Sequence, residues 1–241
     1  MTTHRRLAQA GLLGLIIVLA AAFVSLSGAR ASAPAATPLV VDLTDFRGGS
    51  IYQWLQSKGF RFEQDAKNPQ KIALMADARG LAVQTLRPAL GLLTNTGMNP
   101  NAYSAVEIEW GVAQHPAGAS YERHVNNEAI MVHVFFGQQK RSSGSMFAPN
   151  LPAFIGLFLC ATDRVGVPYV GRYYREAGRY ICVDRAEPQR PLTTRFDLRQ
   201  GFRTAFGVDL RDAISGFTVA VDTSSSKSPS QAFIKRIAFL P

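Results

Sequence analysis

Ile214-Ser-Gly-Phe-Thr-Val-Ala-Val-Asp-Thr223 and Gln231-Ala-Phe-Ile-Lys-Arg-Ile-Ala-Phe239 flank a polar loop, Ser224 to Ser230. In the first run Phe217, Val219 and Val221 fall on one face, and Thr218, Ala220 and Asp222 on the other. The second alternates less regularly, with Ile237 and Phe239 returning to one face. Successive side chains of an extended chain point to opposite sides, so period-two alternation bounded by turn residues is the signal of a strand. The two runs predict a pair of long strands closing an antiparallel sheet.

Working outward, the same signal recurs. Leu39–Leu43, Gly59–Glu63, Lys71–Ala76, Leu81–Leu86 and Leu90–Leu93 read as short strands, the third and fourth joined by an Asp77-Ala-Arg-Gly80 hairpin turn. Ile51–Gln56 reads as a short helical turn. In Tyr103–Val112, Val106, Ile108 and Trp110 oppose Glu107 and Glu109. Glu128–Phe136 is apolar on both faces, which predicts a central strand. Phe154–Ala161 and Tyr180–Val183 are further strands. Thr193–Phe206 carries a helical period, with Phe196, Phe202, Ala205 and Phe206 inward and Gly207 as the stop. Some ten short strands with frequent turns predict an all-β fold. It is an antiparallel, jelly-roll-like β-sandwich with one short helix late in the chain.

The N-terminus reads differently. Arg5 and Arg6 precede an apolar run, Ala10 to Val24, and Ala29-Arg30-Ala31 fits a small-x-small cleavage site. Residues 1–31 read as a signal peptide, with an uncleaved anchor as the alternative, and residues 32–38 as a flexible leader. A single β-sandwich domain is expected over 39–241. The location expected is periplasmic or secreted; the alternative is attachment to the inner membrane through residues 7–26. Residues 1–31 hold three arginines and no acids, so the formal charge of +9 falls to +6 without them. The remaining charge is dispersed and no nucleic-acid motif occurs, which argues against nucleic acid as a partner. A membrane enters only through an uncleaved N-terminal segment. Cys160 and Cys182 are the two cysteines. In an exported chain they predict one disulfide, against the alternative of two buried thiols.

Several stretches resemble the domain-of-unknown-function family 3047. They are Tyr103–Val112, Asn127–Phe136, Asp197-Leu-Arg-Gln-Gly-Phe-Arg-Thr-Ala-Phe-Gly207, Ile214–Thr223 and Ala232-Phe-Ile-Lys-Arg-Ile237. The resemblance implies a β-sandwich similar to galactose-binding and carbohydrate-binding modules, and no known reaction. Asn126-Asn127 stands where the family shows an acidic pair, and Thr223-Ser-Ser where it shows a further Asp. The resemblance therefore carries no acidic or metal-binding role to those positions.

Among candidate site residues, Tyr169, Tyr173 and Tyr174 lie among Arg164, Arg172, Arg175 and Arg179. Aromatic faces stack on sugar rings and Arg grips anions bidentately, so this segment is the best ligand-like patch. Its bland alternative is a surface loop whose tyrosines pack onto the sheet. His133, on the opposite strand face from Val132 and Val134, is a further ligand-binding candidate or a hydrogen-bonded structural histidine. Glu107 and Glu109 share a strand face about 7 Å apart. Two carboxylates so placed could act as acid and base in glycoside hydrolysis, or simply face solvent. Asp42, Asp45 and Asp222 would supply oxygen ligands for Ca²⁺ if the terminal strands brought them together. No other cofactor is indicated. The reading is an exported, non-catalytic domain that binds a glycan or another cell-envelope component. A polysaccharide hydrolase or lyase, and a structural or assembly protein of the envelope, are the alternatives.

Overall fold

The computed structural model describes residues 37–98, 103–146 and 148–241. The expected signal segment, and the leader up to residue 36, lie outside the described residues. The elements run β1 (Leu39–Asp42), α1 (Ile51–Ser57), β2 (Arg61–Gln64), β3 (Ile72–Asp77), β4 (Gly80–Thr85), β5 (Leu90–Asn95), β6 (Ala105–Gln114), β7 (Glu128–Arg141), β8 (Leu151–Cys160), β9 (Pro168–Tyr169), β10 (Gly178–Arg185), β11 (Leu192–Asp197), α2 (Leu198–Phe206), β12 (Ile214–Asp222) and β13 (Ser230–Leu240).

They form a jelly-roll-like β-sandwich of two sheets. The six-stranded sheet runs β11-β6-β13-β4-β3, with β1 also paired to β13. The seven-stranded sheet runs β2-β5-β12-β7-β8-β10-β9. Pairing is antiparallel throughout except between β8 and β10, which run parallel. That departs from an entirely antiparallel expectation, and the physical reason is a crossover. The chain from Cys160 to Gly178 returns to the starting end of β8, laying down β9 on the way, so β10 can run alongside it.

Val106, Ile108, Trp110, Ile234, Ile237 and Phe239 of one sheet and Val132, Val134, Ile155, Leu157, Phe217 and Val219 of the other belong to one buried cluster. Inward residues alternate with outward ones, as two stacked sheets require. Trp110 is fully buried, and its indole N–H donates to Thr194 Oγ1 at 3.1 Å across the β6–β11 pair. A buried polar N–H without such a partner would cost on the order of 1–3 kcal/mol.

The two C-terminal runs are strands, but they do not pair with each other. β12 lies between β5 and β7, and β13 between β4 and β6, at the centres of opposite sheets. The residues between them carry the chain from one layer to the other. That crossing is pinned at both ends: Thr223 N–H donates to Ala89 O, and Ser230 N–H to Thr85 Oγ1, with Thr223 and Ser230 both buried. Alternation marks a strand with one face on the core and is blind to which sheet it joins.

The late helix starts later than its period implies. Leu192–Asp197 is strand β11, paired to β6, and α2 begins only after Asp197, whose side chain accepts from Gln200 N–H as an N-cap. Phe196 therefore faces α2 from outside it. Its ring fills the space at Gly201, where a Cβ would sit 2.1 Å from it. The early turn at 51–57 is a second helix, α1, capped by Ser50 accepting from Gln53 N–H.

Candidate functional site

A single row of residues in register crosses the outer face of the seven-stranded sheet. Thr94 on β5 faces Thr218 on β12, Thr218 faces His133 on β7, His133 faces Gly156 on β8, and Gly156 faces Tyr180 on β10. Thr218 donates its hydroxyl to Thr94 Oγ1 at 3.1 Å. Gly156 is a notch in this row. A Cβ there would lie 2.6 Å from Met131 Sδ, 2.9 Å from His133 Cδ2 and 3.1 Å from Tyr180 Cδ1. The absent side chain lets the rings of His133 and Tyr180 come to 6.2 Å, edge to face. To one side of the row, Phe135 and Phe154 pair across β7 and β8, and Tyr174 meets Phe154 edge-on at 5.8 Å.

To the other side stand two carboxyl groups. A bulge shifts the β7–β12 register between Ala220 and Asp222, so that Asp222 faces Glu128. Ala129 and Ile130 both enter the core there. One extra residue on a bulged strand turns the next side chain to the other face, and Glu128 thereby joins Met131 and His133 outside. Tyr121 reaches in from the loop after β6, stacks on Tyr180 at 4.9 Å and donates its hydroxyl to Glu128 Oε2 at 3.1 Å. Asp163 anchors that loop by accepting from Ser120 Oγ and from Tyr121 N–H.

These groups line a groove of about 710 Å³ along the outer face of the sheet. That falls within the range of about 300–1,000 Å³ common for small-ligand sites. Its floor is aromatic, its flanks carry Thr94, Gln138 and Thr218, and one end holds Glu128 and Asp222. Burial, with the charge of Asp222 added, raises the Glu128 carboxyl well above the usual range. Burial also raises Asp222, although Ser224 donates to it. Tyr121 and Tyr180 are pushed up by burial first and by the Glu128 charge second. Burial lowers the His133 imidazole to about 4, so the ring is neutral at physiological pH.

Of the residues singled out from sequence, the groove collects His133, Arg172, Tyr173, Tyr174 and Asp222. Arg172 lies over the Tyr173 ring at 5.4 Å, and Tyr173 is 46% exposed. Tyr169 is not on the lining. It packs into a buried cluster with Tyr121, Phe158 and the cysteines, and its hydroxyl donates to Glu122 at 2.6 Å. Those bonds, from Tyr169 and Arg164, hold Glu122 at about 2. Cys160 and Cys182 are joined as a disulfide within the same cluster.

Glu107 and Glu109 lie elsewhere, on the outer face of the six-stranded sheet. Arg236 pairs with Glu107 at 2.9 Å and Lys235 with Glu109 at 2.9 Å, and neither glutamate lines the groove. The acid–base geometry expected of them is not built, because β13 places two cations opposite them. The proposed calcium trio is also dispersed. Asp42 ends β1 beside Arg236 and accepts from Thr44, Asp45 is bound by Lys58 and Trp54, and Asp222 is on the other sheet. The trio needed the terminal strands to share a sheet with β12, and they do not. Among the described residues, no group of three or more His, Cys, Asp or Glu side chains is placed to hold a metal ion.

Sequence reading passed over Tyr121, Glu128, Phe135, Phe154 and Tyr180 as site residues. Phe135 shares the outer face of β7 with His133, a signal that alternation contained. Glu128 gave none, because strict alternation puts it inside.

No protein-family model and no curated protein matches the chain. The family 3047 resemblance therefore rests on its motifs alone. Among solved structures, the chain is similar to a mutant of a family 29 carbohydrate-binding module, at 6% identity and TM-score 0.36, covering 85% of this chain and 86% of that one. It is similar to the metal-free carbohydrate recognition domain of Emp46p, at 12% identity and TM-score 0.43, covering 83% and 94%. It is also similar to an agarase, at 10% identity and TM-score 0.33, covering 84% of this chain and 25% of that one. With every TM-score below 0.5, none of the three carries an argument about what this chain binds.

Proposed function

We propose that the chain is an exported, non-catalytic glycan-binding domain whose ligand lies along the outer face of the seven-stranded sheet. The carrying observation is the groove itself, an aromatic floor from Phe135 and Phe154 through His133 to Tyr180, flanked by hydrogen-bonding side chains. A sugar ring offers an apolar face to stack on aromatic rings and hydroxyls around its edge, and this lining answers both. Tyr174 and Tyr173 form one wall. The envelope is the compartment that fits the signal-like residues 1–31 and the disulfide.

Retention on immobilised cell-wall, capsular and exopolysaccharides tests the reading. The protein is expected to bind at least one class, and Tyr174→Ala to weaken that binding about tenfold, or about 1.4 kcal/mol, with the circular dichroism spectrum unchanged. Absence of retention on every polysaccharide would remove the function. An unchanged curve for Tyr174→Ala would move the ligand off this face. Sequencing the N-terminus of protein from the periplasm or medium, with residues 1–31 removed as the expected result, tests export.

A further inference from the structure

We infer that the Glu128–Asp222 end of the groove is a subsite for a protonated amine, so that the saccharide is one bearing free amino groups. The inference rests on the glycan-binding reading and specifies its ligand.

Charge comes first. Glu63, Glu128 and Asp222 line the groove against one fixed cation, Arg172, which is committed to the Tyr173 ring. The chain as a whole carries +9, so the groove runs against the sign of the protein around it. Glu128 and Asp222 face each other across β7 and β12 with no Lys or Arg paired to either among the described ion pairs. By contrast, Glu107 and Glu109 on the six-stranded sheet have cations opposite them. A buried and a half-buried carboxyl without a counter-charge are costly unless something else supplies one.

Hydrogen-bond polarity is a separate observation. Two groove atoms, His133 Nε2 and the Asn126 side-chain amide nitrogen, are shut off from solvent and have no partner. At the Glu128–Asp222 end the two carboxyls, once ionised, offer only acceptors, which calls for N–H or O–H donors from the ligand there. An ammonium brings three donors and a full charge. The ring of Tyr121, stacked on Tyr180 beside Glu128, adds an aromatic face of the kind that attracts cations. An anionic sugar acid would meet the two carboxyls and be repelled. A neutral N-acetyl group would leave them unpaired.

Calorimetry on the protein with a chitosan tetramer and its fully N-acetylated counterpart tests this. The free-amine oligomer is expected to bind at least tenfold more tightly. Its preference should fall at least fivefold in Asp222→Asn, whose side-chain oxygen can still accept from Ser224 N–H. Glu128→Gln serves as a second variant, its amide oxygen still able to accept from Tyr121. A binding cation draws a proton off the carboxyl pair, so titrations in buffers of different ionisation heat should show proton release. Glu63, His124, His133 and Arg172, the other titratable groups there besides the tyrosines, are unchanged in both variants.

Equal affinity for the two oligomers, or a preference untouched in both variants, overturns the amine subsite. If Tyr174→Ala still weakens binding in that case, the glycan reading survives without it. If neither oligomer nor any polysaccharide of the wider panel is retained, both readings fall together.

Discussion

Each sheet of this sandwich shows a pair of carboxylates on its outer face, and the two pairs live under opposite electrostatics. On the six-stranded sheet Glu107 and Glu109 are partly exposed and answered by Arg236 and Lys235 from the neighbouring strand. On the seven-stranded sheet Glu128 and Asp222 are sunk beside aromatic rings and answered only by a tyrosine hydroxyl and a backbone N–H. A residue type on a strand face therefore says little by itself. What separates a solvated face from a candidate site is whether the adjacent strand supplies the counter-charge.

The largest expected effect isolates the seven-stranded sheet. Replacing Cys160 and Cys182 together by Ser opens a loop of sequence separation 22 and should cost about 3 kcal/mol in urea unfolding. That loop carries Arg172, Tyr173, Tyr174 and Tyr180, so glycan retention should weaken as well. Loss of stability with retention intact would detach the groove from the bridge.

Next comes a pH test of Glu128. Its folded carboxyl titrates above the ordinary range, so the folded state holds the proton more tightly than the unfolded chain. Stability from this group is complete below the ordinary carboxylate range and declines as pH rises through the raised value. Glu128→Gln, which cannot ionise, should melt a few degrees above the natural protein near pH 8 and converge with it near pH 4. A variant less stable at both would mean that the carboxyl is not under-compensated.

His133 should show the reverse slope. Its folded value of about 4 lies below the ordinary 6.5, so its contribution is present above pH 6.5 and drains away as pH falls toward 4. His133→Phe should flatten the stability curve over that interval. An unaltered slope would indicate that the imidazole is not desolvated.

The smallest effect belongs to the other face. Glu107→Ala should cost less than about 1 kcal/mol and lose even that in high salt, because a part-exposed ion pair is weak and screened. A loss above about 2 kcal/mol would put the two carboxylate pairs under similar electrostatics.

Much of the sandwich is legible in the sequence. The β3–β4 hairpin, the central position of β7 and the disulfide follow from turn residues, two-faced apolarity and cysteine usage. The partnership of β12 and β13 does not, because a strand's alternation is the same in either sheet. The start of α2 was hidden because Thr193–Phe196 fits a helical period and a strand period alike. The site was half legible. Tyr173, Tyr174 and His133 stood out as polar aromatics in suggestive company. Glu128 was concealed by a bulge that no local pattern announces, and Tyr180 by sitting in a short apolar run beside a cysteine.

The crossing between β12 and β13 has a consequence for how the molecule comes into being. The strands that occupy interior places in both layers are the last two of the sandwich in chain order, and the pieces they join, β2–β5 with β7–β8–β10–β9 in one layer and β3–β4 with β6–β11 in the other, stay separate until both are made. A nascent chain stalled before Ile214 would hold β5 apart from β7 and β4 apart from β6 and leave β1 without its partner, with strand edges open to stray association. Neither layer can therefore be completed until the sandwich's last two strands are in place.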